Sequence, residues 1–131
     1  MRLVLPFPPT VNHVWKHTAR IVSSRKAVPC VYMTEQGKRY REDVKKHCRS
    51  LGLGKEPMTG SLRVRVRLHF PTNRRADLDN RMKALFDALT HAGIWEDDSQ
   101  IDFFQVERGE KIRDGKVLVE VLPLVPGRDK Q

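Results

Sequence analysis

Residues 61–70, SLRVRVRLHF, alternate with almost no exception: Leu62, Val64, Val66, Leu68 and Phe70 fall on one side, Arg63, Arg65, Arg67 and His69 on the other. A period of two sustained over this length is the signature of a β-strand, because successive side chains leave a strand on opposite faces. The polarity adds a second constraint. One face of the sheet lies on a core and the other is wet, so something elsewhere in the chain must cover the apolar side. Pro71 stops the strand.

Two segments supply the cover. TEQGKRYREDVKKHCRSLG begins with Thr34, a good N-cap, and ends at Gly52; Tyr40, Val44, Cys48 and Leu51 recur at helical spacing as a narrow inner stripe on a largely basic helix. RRADLDNRMKALFDAL reads as a second helix, with Leu78, Met82, Leu85, Phe86 and Leu89 turned inward. RLVLPF reads as a short strand closed by Pro8 and Pro9. SQIDFFQVERGEK and GKVLVEVLPL read as two strands joined as a hairpin around Asp114-Gly115. TVNHVWKHTARIVSSRKAVP has no sustained period and reads as a long loop; its Lys16, Arg20, Arg25 and Lys26 suit a phosphate backbone or simple solvation equally well. The order strand, helix, strand, helix, strand, strand predicts an α/β (α+β) fold, a mixed sheet with two principal helices on one face. One domain spans residues 1–131, and 125–131 read as a frayed tail.

Charge narrows the partners. A formal net charge of +9 and a pI near 10.0 attract polyanions over several ångströms, which puts nucleic acid first and an acidic membrane second. No apolar run approaches the roughly 20 residues of a spanning helix, and MRLVLPFPPT breaks at prolines, so the expected location is the cytoplasm. Cys30 and Cys48 are too few for a disulfide framework and read as reduced thiols. GLGK at 52–55 lacks phosphate-loop spacing, which removes a nucleotide cofactor. His13 and His17 lack the further ligands that a zinc site needs.

Against this basic background the second helix concentrates acids. Asp77 and Asp79 stand two apart directly after Arg74 and Arg75, with Asn80, Lys83 and Asp87 following. Helix capping and i±4 pairing of Lys83 would explain one acid, at a few tenths of a kcal/mol per pair. They do not explain two carboxylates on a surface built for a polyanion. A divalent cation would: Mg²⁺ takes hard oxygen ligands, is often held by a few carboxylates plus substrate phosphate, and activates water for in-line attack. Lys83 could then stabilise developing charge on phosphate oxygens. GIWEDDSQ brings Glu96, Asp97 and Asp98 before the next strand. If the strand beginning near Ile101 lies beside the strand ending at Phe70, these acids and the helix entrance could converge at one edge of the sheet and complete a three-carboxylate site. Taken alone, the segment is a turn, and Asp97 and Asp98 are equal candidates.

LPFPPTVN, EQGKRYREDV, RRADLDNRMKALFDALTHAG and WEDDSQI resemble, in this order, the RusA family of Holliday junction resolvases. The resemblance runs from about Leu3 to the terminal strand, and DLDN, the lysine three residues later, FDAL and W-x-DD-x-Q are its most specific parts. It implies a Mg²⁺-dependent endonuclease, with Mn²⁺ able to substitute, usually encoded by phages or prophages, that works as a homodimer and cuts branched DNA, above all four-way junctions, with paired nicks. By motif matching, Asp77, Asp79 and Asp98 take the catalytic, metal-binding carboxylate positions and Lys83 the catalytic lysine, with Asn80 and Asp87 in support. Arg74, Arg75, Lys16, Arg20, Arg25 and Lys26 are the candidate DNA contacts. One departure stands out: Ala76 precedes Asp77 where the best-known version of the motif carries a basic residue. Two other readings of the residues remain, a DNA-binding module whose acids only cap a helix, and a metal-dependent nuclease acting on flaps or forks.

Overall fold

In the computed structural model the described residues are 1–10, 33–74 and 76–124, with the backbone of 15–23 and 26–32. Six strands and two helices follow in the order β1 (Arg2–Leu5), β2 (Trp15–Ser23), β3 (Lys26–Met33), α1 (Glu35–Ser50), β4 (Leu62–His69), α2 (Met82–His91), β5 (Ile101–Arg108) and β6 (Lys116–Pro123). Short 3₁₀ turns, Asp79–Arg81 and Asp98–Gln100, precede α2 and β5.

The main sheet has the order β1-β6-β4-β5. The alternating strand β4 lies inside it, antiparallel to β6 and parallel to β5. Leu62, Val64, Val66 and Leu68 are buried with Leu3, Leu5, Val117, Val119 and Val121 of the neighbouring strands, under Tyr40, Val44 and Cys48 of α1 and Met82, Leu85, Phe86 and Leu89 of α2. Both helices therefore cover one face, as the two-sided polarity of β4 requires. The opposite face is mixed, with Arg2 paired to Glu120 at 3.0 Å, Arg67 paired to Glu107 at 2.8 Å and Arg63 stacked on Phe103 at 5.1 Å. The arginines of β4 are thus not a bare cationic surface.

Helix α1 starts where Thr34 Oγ1 accepts the Gly37 N–H at 3.2 Å. Its inner stripe ends at Cys48, a buried free thiol whose pKa burial raises; Leu51 is exposed and serves as the C-cap. Tyr40 donates its hydroxyl to Pro6 O at 2.9 Å, and its deep burial raises its pKa. Among the described residues no helix is long and apolar enough to cross a membrane.

Two expectations change. The segment read as a long loop forms an antiparallel β2–β3 ribbon, separate from the main sheet, with Pro29 opposite Ala19. Proline argues against an interior strand, but each strand of an isolated pair has a free edge on which a missing N–H is tolerated. The side chains of Lys16, Arg20 and Lys26, all of Arg25 and Arg75, and residues 125–131 lie outside the described residues. Nor are β5 and β6 a hairpin, because β4 lies between them. The turn itself exists, with Asp114 and Gly115 at φ 67° and 71°, but it carries the chain past the end of β4. Alternation reports which face a residue takes and says nothing of which strand lies beside it.

Candidate active site

The acidic entrance to α2 lies at the end of β4 and is held by two arginines. Arg81 Nη1 donates to Pro8 O at 2.8 Å, and its guanidinium lies 4.9 Å from the Phe7 ring and 5.9 Å from that of Phe70. Burial lowers its pKa, as desolvation of a cation must. On the other side Arg108 covers Phe70 at 4.3 Å and donates to the Ala76 carbonyl. Each cation–π contact contributes about 0.5–2 kcal/mol depending on its desolvation. Together they tie the loop after β4 to the N-terminal prolines and to β5.

On this support Asp77, Asp79 and Lys83 are exposed, while Asn80 and Asp87 are partly buried. Arg74 is exposed too and donates its backbone N–H to Thr72 Oγ1 at 3.3 Å. Leu78 and Arg81, the N-cap residues of the 3₁₀ turn and of α2, supply no side-chain cap. None of Asp77, Asp79, Lys83 and Asp87 forms an ion pair with another described residue. The acids sit near a positive helix end, yet they neither cap it nor neutralise the lysine.

The second acidic stretch is organised by Gln100. Its Oε1 accepts the N–H groups of Glu96 and Asp97, both at 2.9 Å, while Nε2 donates to Met58 O at 2.9 Å and Gly60 O at 3.0 Å. Asp97 completes this capping box by accepting the Ser99 N–H at 3.3 Å. Hydrogen bonding with Ser99, through its side chain first and its backbone second, holds the Asp97 carboxyl below the usual carboxylate range. The contribution of this bond is therefore present above the ordinary carboxylate pKa and fades as pH falls through the depressed value. Asp97 and Asp98 are both exposed, and of the two it is Asp97 whose carboxylate caps the turn.

These two acidic regions do not meet. Ile101, the first residue of β5, lies beside Leu62, the first of β4, and Arg108 lies beside Leu68 near its last. The Asp98 turn is thus at the start of β4, anchored to Gly60, whereas Asp77 and Asp79 follow the end of β4. Helix α2 separates them by about 15 Å. Mg²⁺–oxygen bonds of about 2.1 Å cannot span that gap. Among the described residues no three His, Cys, Asp or Glu side chains gather as a metal-holding group. The donors suit Mg²⁺ in kind, since all are carboxylates, but one chain brings only Asp77 and Asp79 to the entrance.

The roles of Gln100, Arg81 and Arg108 were not visible beforehand. Q in W-x-DD-x-Q was the signal for the first, and the arginine following DLDN for the second. Gln100→Ala, which removes the four bonds that hold this turn, is expected to destabilise the fold by about 1–3 kcal/mol. Gln100→Glu keeps the two acceptor bonds and should fall between. Urea unfolding measures both.

The chain matches the family described as endodeoxyribonuclease RusA over residues 6–122. It is 38% identical over 124 residues to the crossover junction endodeoxyribonuclease of Enterobacteria phage HK97, covering 94% of both chains. Against the proteins of that name from Escherichia coli K12 and Enterobacteria phage 82 it is 31% identical over 117 residues, 88% of each chain. Matched from the N-terminal prolines through the acidic helix entrance to β6, the chain belongs to the RusA family of endodeoxyribonucleases.

Proposed function

We propose that this protein is a Mg²⁺-dependent endodeoxyribonuclease that resolves four-way DNA junctions by paired, symmetric nicks. It acts as a homodimer in which Asp77 and Asp79 of one subunit and Asp98 of the other make up each carboxylate set. The observation that carries this reading is the pair of exposed, uncapped acids at the entrance of α2 in a chain of net charge +9. Carboxylates left without a partner on a polyanion-binding surface repel the ligand unless a cation intervenes.

When bound, Mg²⁺ or Mn²⁺ supplies Lewis-acid polarisation of a phosphate oxygen and acidifies water. The chain contributes the rest. Lys83, exposed on the first turn of α2, donates to phosphate oxygens as charge develops on them. Asn80 lies in the same turn as Asp79, and Asp87 lies one turn along α2 from Lys83. Arg74, with Arg75 and the cations of the ribbon, holds the backbone of branched DNA, so binding weakens steeply with salt. Two symmetric incisions need two sites, and a two-fold dimer provides them.

The test compares a labelled four-way junction with linear duplex and a flap, with and without Mg²⁺, while binding is followed separately. Paired junction nicks that need the metal are expected. Preferential flap cutting would keep the chemistry and reject the substrate; junction binding without incision under any divalent metal would leave a binding module.

A further inference from the structure

We infer that Arg108, the last residue of β5, is a DNA-contacting residue: its guanidinium, fixed beside Asp77, grips one backbone phosphate of the strand that enters the incision site. This rests on the reading of Asp77 and Asp79 as that site, and it adds a contact delivered from a different element of the fold.

The place of the side chain comes first. Alternation puts Phe104, Val106 and Arg108 on one face of β5, and Phe104 meets Phe86 of α2 edge-on at 5.6 Å, so this is the face that the helices cover. Arg108 lies opposite Leu68 in the parallel pairing with β4. From there it reaches past the end of β4 and donates through Nη2 to the Ala76 carbonyl. The peptide that accepts this bond is the one that continues into Asp77.

The group is also held still and left open. Its guanidinium centre lies 4.3 Å from the ring of Phe70, which is itself buried. An arginine fixed by an aromatic face and a carbonyl has already given up much of its rotamer freedom, so a ligand does not bear that cost again. Yet Arg108 is exposed, and among the described residues Nη2 is the one donor it commits to protein and no carboxylate pairs with it. Arg81, across the entrance, contrasts with it: Arg81 is partly buried, bonded to Pro8 O, and its Nε is shut away from solvent. One arginine braces the entrance; the other presents a free edge of N–H donors to whatever approaches.

Electrostatics select what that is. A planar fork of donors suits an anion with two acceptor oxygens, and in a chain of net charge +9 a phosphodiester is the fitting one. A fixed cation one peptide away from Asp77 also offsets part of the repulsion that the acids exert on the backbone.

The test is a double-mutant cycle with the full chain and a four-way junction in EDTA, where binding is read without incision. Neutral methylphosphonates replace, one at a time, the phosphates of a strand that crosses the branch point. Arg108→Met removes the charge and still covers Phe70. It is expected to weaken binding of the unmodified junction about tenfold and to lower the salt slope by about one per bound subunit. At one phosphate, neutralisation should cost the native protein about fivefold more than the variant; at the others both should respond alike. Arg108→Lys keeps the charge and the slope but lacks the fork, and should bind at an intermediate level. Arg108→Gln repeats the cycle with a second neutral side chain, and urea unfolding reports whether either variant disturbs the fold. Equal responses at every phosphate, with an unchanged salt slope in both neutral variants, overturn the inference and leave Arg108 a brace for the loop at Ala76. Coupling at one phosphate together with full cutting by Asp79→Asn keeps the contact and overturns the reading of the incision site. Absence of coupling in a protein that Asp79→Asn inactivates overturns the contact and leaves that reading standing.

Discussion

Asp79→Asn is expected to lower incision of a four-way junction by on the order of 10³ or more, because a neutral amide is a poor substitute for an anionic ligand of a hard cation. The fold should not notice. Asp79 is exposed and neither caps the 3₁₀ turn nor pairs with another described residue, so its replacement should shift stability by no more than about 0.5 kcal/mol. Junction affinity without metal should rise slightly, since one repulsive charge leaves a phosphate-binding surface. Gel-shift titration in EDTA, urea unfolding and single-turnover cleavage in Mg²⁺ measure the three effects. Full cleavage by the variant would return Asp79 to the role of a helix-end acid.

Mixing two inactive variants should restore cutting. Asp79→Asn and Asp98→Asn homodimers are each expected to be inactive, since every site in either lacks one carboxylate. Where Asp98 serves the opposite subunit, a mixed dimer concentrates both defects in one site and leaves the other intact. Random exchange at equal concentrations then gives about a quarter of the native sites, and the products are single nicks instead of paired ones. Were all three acids in one chain, every site in the mixture would stay defective. The contrast is between no product and a readily measured fraction, and it stays clear even with incomplete exchange.

Much of this was legible in the residues, for reasons that also mark the limits. Strict alternation in β4 and the Tyr40, Val44, Cys48 stripe of α1 report burial directly, since each period matches the geometry of its element. The acids of DLDN stood out because their charge opposed that of the chain. The β2–β3 ribbon escaped because Pro29 and an uneven pattern are permitted where every strand is an edge. The supposed β5–β6 hairpin failed because β4, with an apolar row to bury, takes both as neighbours. Asp98 is the sharpest case. Its motif was readable, but its distance from Asp79 follows from β5 running parallel to β4, a long-range choice that local spacing does not encode. Asp97 and Asp98 were indistinguishable by spacing alone; motif matching favoured Asp98, and the capping box shows Asp97 engaged in its own turn.

The tie between Arg81 and Pro8 makes the acidic entrance depend on the outermost strand. Among the described residues β1 pairs only with β6, Arg2 with Glu120 through Leu5 with Val117, so β1 docks in the sheet only after β6 has been made. A nascent chain released by the ribosome short of β6 has no seat for β1, and its DLDN loop lacks the anchor of the N-terminal prolines. Synthesis through β6 is thereby a condition for seating the entrance: chains truncated before β6 are expected to be poor nucleases, whatever their affinity for DNA.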